Sequence, residues 1–359
     1  MAIDSIAFLT PGNYPDADPS AGLDDTLRLI EFGERLGYRG AWVRQRHLEH
    51  GISSAAVFLG AASQRTSTIE LGTAVIPIGY ENPFRLAEDL SLADALARGR
   101  IQAGFSTGMP HADLLADLVF DGDWRTYDLG YERVARTVSH LRGDYLGDVD
   151  TTIESPGNIQ RPRLQPHTPG LAARSWYGVT SLRSAQWTGS AGLHLLTGNI
   201  VSAAGLGDEP SGDRGTEGGV PSFSTVQAAL IDAFRVAGGA DKRAAVGRVI
   251  VPTDGADRAT VKRYRAYERS RYERTRTVHG ERRVLFAEDL VGPIDEIAER
   301  LAADPAFTPH SGPVTELRLE LPYEFDVRDY EQILADAVRL VGNGGRTAAT
   351  VSSVDNPVA

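Results

Sequence analysis

The sequence contains no cysteine. Disulfides, thiolate metal sites and a cysteine nucleophile are therefore excluded. Lysine is almost missing as well, with 2 residues against 35 arginines, a bias that reflects genome composition more than a physical requirement. Positive charge is in deficit overall: the net charge of −11 argues against broad nucleic-acid binding, which needs a basic surface. No apolar run reaches the length that spans a bilayer, and "MAIDSIAFLTPG" lacks the basic start and cleavage pattern of a signal peptide. The expectation is a soluble, cytoplasmic protein without membrane partners. What is present is enough for a sizeable core, with 42% hydrophobic and 24% charged residues over 359 positions. That length suits one large α/β barrel or two smaller domains.

Apolar runs of strand length alternate with segments of helical period. Strands are expected at 3–9, 38–44, 68–78, 100–108, 173–179, 193–200, 243–252 and 314–322. Helices are expected between them, at 22–37, 53–66, 82–99, 129–143, 181–192, 222–239, 257–275, 292–304 and 327–342. Eight strand–helix units imply a parallel sheet, and most simply a closed (β/α)8 TIM-type barrel with insertions at the C-terminal face of its strands. A doubly wound open sheet is the rival architecture. One domain is expected over 1–341. Within it the Gly- and Asp-rich 202–219 reads as a long loop, either a lid or a passive insertion, and 109–128 and 144–172 read as irregular. The tail 342–359 has no packable face and is expected to be disordered.

At the second strand's end an apolar run breaks into "RQRH" (44–47). In a barrel the strand ends form the active site, so this cluster sits at the mouth. The flanking arginines Arg44 and Arg46 oppose a cation beside His47, and no metal is expected. Catalytic cluster and solvated loop both remain open on position alone. After the fifth strand, Ser181 opens a helix whose N-terminus offers donors to an anion, although the same pattern describes an ordinary cap.

"LGYRGAWVRQRHLEHG", "RTSTIELGTAVIPIGYENPFRLAEDLSLADALARGRIQAGFSTG" and "WYGVTSLRSAQWTGSAGLHLL", in this order, resemble the bacterial-luciferase-like family of flavin-dependent oxidoreductases. The resemblance covers roughly 3–200 and 244–341 and implies a barrel, usually dimeric, that binds reduced FMN or the deazaflavin F420 at the strand ends. It implies phosphate contacts on "GVTSLRS", at Val179, Thr180, Ser181 and Ser184. "LGTAV" is similar to the strand beneath the flavin ring, which places Thr73 and Ala74 against the ring and a cis peptide at Ala74–Val75. Ser106 and Thr107 stand where luciferases carry Cys and Arg, and a serine there can still hydrogen-bond a flavin heteroatom. Tyr80 and His111 would line the substrate pocket.

The luciferase pattern of an acidic residue and two histidines appears here as Gln45-Arg46-His47. Arginine is a poor base but stabilises developing negative charge on oxygen, and His47 remains for proton transfer. Arg46 and His47 are thus the catalytic candidates. The implied activity is a monooxygenase that takes reduced FMN from a separate flavin reductase and uses O2 on a small organic substrate. No G-x-G-x-x-G fingerprint follows a strand, which favours an external reductase. F420-dependent hydride transfer and a flavin-binding barrel without turnover are the alternatives.

Overall fold

In the computed structural model, residues 3, 5–206, 221–307 and 316–341 are described. Most of the 202–219 loop and the 342–359 tail lie outside them. Eight parallel strands form a closed barrel: β1 Ile6–Thr10, β2 Gly40–Val43, β3 Glu70–Thr73, β4 Ile101–Ser106, β5 Ser175–Gly178, β6 His194–Thr197, β7 Ala244–Arg248 and β8 Glu316–Glu320. Sequential neighbours pair all the way round, and β1 with β8 closes the ring. Helices α1 Pro19–Leu36, α2 Ala55–Ser63 and α3 Pro83–Leu96 follow the first three strands. α4 Ala112–Val119 and α5 Tyr131–Leu141 follow β4, α6 Leu182–Ser190 follows β5, and α7 Phe223–Phe234 follows β6. α8 Arg258–Tyr272 and α9 Ile294–Ala303 follow β7, and α10 Val327–Ala337 follows β8.

Local chemistry sets the helix limits. Asp18 caps α1 by accepting from the Ala21 N–H, Pro19 fills its first turn, and Gly37 ends it at φ 85°. Asn82 and Pro83 do the same for the start of α3. Two elements depart from the expected irregular stretches: α4 lies within 109–128, and a hairpin pairs 153–155 with 158–160 within 144–172.

The main core lies between the strands and the helices, while a smaller cluster fills the barrel itself with Ala7, Leu9, Trp42, Trp176, Leu196 and Ala245. The two indoles meet edge to face at 5.3 Å. A side chain at position 72 would put its Cβ 2.2 Å from the Trp42 ring, so only glycine lets β3 pass. Polar groups share this interior. β8 turns Glu316, Arg318 and Glu320 inward, all buried, and its leucines outward. Among the described residues no helix is long and apolar enough to cross a membrane.

Candidate active site

The C-terminal end of β2 delivers Arg44 to His47 to the mouth of the barrel. Gln45 is buried there and organises its neighbours: its amide nitrogen donates to Glu81 at 2.6 Å, and its oxygen accepts the Ala55 N–H at 3.1 Å. The loop is thereby locked to the start of α2 and the turn after β3. His47 lies 3.3 Å from the Gln45 amide and packs edge-on against Tyr80, with ring centroids 5.4 Å apart. Burial pulls the His47 pKa below its ordinary value of 6.5, against the raising influence of Glu81. The ring is consequently neutral near pH 7.

Both residues expected to line the substrate pocket join this group. Tyr80 is buried and donates to the Pro110 carbonyl at 2.6 Å. His111 stands just before α4 without a capping side-chain bond and meets Glu49 at 3.1 Å, while Glu49 also pairs with Arg46 at 3.6 Å. Arg44 reaches to β8, where it donates to Glu320 at 3.0 Å. His50, from the same loop, points elsewhere and pairs with Asp16.

At the end of β3 the Ala74–Val75 peptide is cis, as the resemblance implies. Thr73 is fully buried, and its hydroxyl exchanges hydrogen bonds with the Gly104 backbone, so it serves the barrel wall. Ala74 packs with the small cluster inside the barrel. Ser106 ends β4, and the Thr107 hydroxyl is 3.0 Å from that of Tyr177, whose pKa burial pushes up to about 12.

At β5, Val179 is buried and donates to the Leu196 carbonyl, and Thr180 is exposed. Ser181 caps α6 in a reciprocal box with Ser184. The Ser184 hydroxyl is consumed inside this turn, accepting from the Thr180 and Ser181 N–H groups and donating to the Ser181 carbonyl. The N–H groups of Leu182 and Arg183 take no partner among the described residues, and such groups at a helix start suit a phosphate. The Ser181 hydroxyl is engaged as well, donating to the Ser184 hydroxyl and accepting the Ser184 N–H, so it is the backbone donors of the turn that fit the phosphate of a flavin.

Sequence reasoning missed Glu49, Glu81, Tyr177, Glu320 and Tyr323. The last two lie in "ELPY" at the end of the eighth strand, where the strand-end rule would have flagged them. Among the described residues no group of three or more His, Asp or Glu side chains could hold a metal ion.

A closed (β/α)8 barrel with polar side chains gathered at its strand ends and an anion-ready helix start defines a small-molecule enzyme scaffold. Comparison with known proteins gives it a family. Residues 3–210 match the model of the luciferase-like monooxygenases, and the chain belongs to that family. It is 36% identical over 199 residues to a limonene 1,2-monooxygenase of Rhodococcus erythropolis, covering 52% of this chain and 51% of the relative. The chain thus spans about half the length of that curated relative. Among solved structures it resembles the oxygenating constituent of 3,6-diketocamphane monooxygenase from Pseudomonas putida, in complex with FMN (TM-score 0.63, 13% identity, 94% of this chain and 98% of the other). It also resembles an F420-dependent secondary alcohol dehydrogenase holding an F420–acetone adduct (TM-score 0.60, 14% identity, 94% and 99%). At these identities the structural likeness shows the fold.

Proposed function

We propose that the protein is a flavin-dependent monooxygenase that receives reduced FMN from a separate reductase and uses O2 to oxidise a small organic molecule. The observation that carries this reading is the pairing, at one end of one barrel, of an arginine–histidine cluster on β2 with unpartnered N–H groups opening α6. Bound FMN would supply the oxygen-activating chemistry. The chain's own residues hold and orient it. The Leu182 and Arg183 N–H groups would take the phosphate, at a turn held in shape by Ser181 and Ser184, and Ala74 and Ser106 would face the ring. Arg46 offers its guanidinium to negative charge developing on oxygen. His47, neutral at working pH, accepts or returns a proton at its ring nitrogen.

A second reading is F420-dependent hydride transfer. Arginine at the position where luciferases carry a histidine removes a base that oxygen chemistry uses, and one structural neighbour is described as binding F420. Fluorescence titration with FMN and with F420 separates the cofactors. Oxygen consumption with externally reduced FMN then tests turnover. Binding of F420 alone would overturn the first reading, and FMN binding without oxygen uptake would leave a flavin binder.

A further inference from the structure

Tyr323 stands three residues beyond β8, on the rim of the same mouth, and its hydroxyl oxygen accepts from two guanidiniums. Arg44 Nη1 lies at 3.1 Å and Arg46 Nη2 at 3.5 Å. The Arg44 guanidinium also lies 5.7 Å from the ring centroid, and the Tyr323 carbonyl is held by the Asn13 side chain. A phenol oxygen that accepts two such bonds has its own O–H left to donate. Among the described residues nothing accepts that proton. Beside it the Arg46 Nε is buried and also lacks a partner.

Guanidiniums gather around the ring. Arg44 and Arg46 flank Tyr323, and Arg318 lies one step deeper, 3.8 Å from Glu320. Glu320 pairs with Arg44 and Arg318, Glu316 adds its charge beside Arg318, and Arg46 has Glu49, which is shared with His111. Two donors without an acceptor among the described residues, the Tyr323 O–H and the Arg46 Nε–H, thus belong to side chains in contact at one rim of the mouth, beside two guanidiniums. The Arg46 Nε, withdrawn from water without an acceptor, costs free energy until something accepts from it, and the exposed Tyr323 hydroxyl beside it is open to an incoming ligand, so the place is suited to an oxygen that carries negative charge.

We propose that Tyr323 and Arg46 together form an oxyanion subsite that binds the substrate through a phenolate, enolate or carboxylate oxygen. Tyr323 donates its O–H, and Arg46 donates its Nε–H. This rests on the reading of the barrel mouth as the active site, and it holds for oxygen transfer and hydride transfer alike.

The probe is 4-nitrophenol, whose ionised form alone absorbs strongly in the visible. At a pH where the free probe is partly ionised, adding wild-type protein should increase the coloured fraction, because the subsite favours the phenolate. Tyr323→Phe keeps the ring under Arg44 and removes only the hydroxyl; it should weaken binding of the ionised probe roughly ten-fold, as expected for one hydrogen bond to a charged group. Arg46→Gln should weaken it at least as much. FMN affinity is measured in parallel on each folded variant. Wild-type protein that leaves the coloured fraction unchanged, or a folded Tyr323→Phe that binds the ionised probe as wild type does, would overturn the subsite. If FMN failed to bind while the probe's dependence on Tyr323 persisted, the flavin reading would fall and the subsite would stand.

Discussion

Arg46 and His47 have different neighbours, and their substitutions should fail in different ways. Arg46 is anchored only loosely, through Glu49 at 3.6 Å and Tyr323 at 3.5 Å, so it remains available to a ligand. Arg46→Ala should lower turnover about a hundred-fold, the loss typical of one charge-stabilising donor, while FMN affinity changes little. Arg46→Lys should recover only part, because a point charge cannot replace a planar fork of donors. Steady-state kinetics beside flavin titration read both effects. His47 answers to pH. Its pKa is lowered by burial, so the neutral ring is the working form above that value and is lost as pH falls through it. The acid limb of the rate profile should lie below the ordinary histidine value of 6.5 and disappear in His47→Gln. A limb that persists in that variant would remove His47 from proton transfer. These two residues could be read from the sequence because they interrupt an apolar strand. Glu49 and Glu81 could not, since their roles depend on partners supplied by other elements, whereas Tyr323 was within reach of the strand-end rule.

Elements carry the cofactor assignment and much of the stability. At α6, Ser181→Asp keeps a good cap but places negative charge at the N–H groups expected to hold phosphate. FMN binding should weaken by at least ten-fold with the melting temperature nearly unchanged; equal affinity would move the phosphate elsewhere. A second junction joins α1 to the entry of β3. The Glu34 carboxylate accepts the N–H groups of Ser67, Thr68 and Ile69 at 2.6–3.0 Å, together with the Thr68 hydroxyl. Burial alone would raise its pKa, but these donors together hold it below the ordinary 4.5. A depressed carboxylate pKa stabilises the fold above the unfolded value, and that contribution is lost as pH falls through the folded value. Glu34→Ala should therefore cost about 1–3 kcal/mol at pH 7 in urea unfolding, and the gap to wild type should shrink in acid. All eight strands were legible, seven as apolar runs and the eighth as an alternation of leucine with charge. α4 was not, because it is only two turns long and opens on His111 at φ 61° in place of a serine or aspartate cap.

For the whole molecule, the least legible feature is what fills the barrel. "ELRLE" alternates like a strand with one wet face, and the period-2 rule alone would send its charges to solvent. Closure of the sheet buries both faces instead. The leucines meet the helices, and the charges face the barrel axis. Glu316 pairs there with Arg243, which also binds Glu70, while Glu320 pairs with Arg44 and Arg318. Cations also cover the indoles, with Arg243 4.7 Å from the Trp176 ring and Arg318 5.7 Å from Trp42. Glu320 has room because glycines stand in β7 and just past the end of β6: a Cβ at Gly247 would sit 2.2 Å from its carboxylate, and one at Gly198 2.6 Å. The column joins the barrel wall to the mouth, since the carboxylate that balances Arg318 also fixes Arg44. Removing one member of a buried ion pair strands its partners' charge in a dry interior. Glu320→Gln should thus cost about 3–5 kcal/mol, the range for breaking such a pair. Adding Arg318→Met should return part of that loss, because one stranded guanidinium is removed with it. Denaturant unfolding of the two single variants and the double variant reads the coupling. A Glu320→Gln protein as stable as wild type would mean that the column is hydrated, and that Arg44 keeps its place without the charge beneath it.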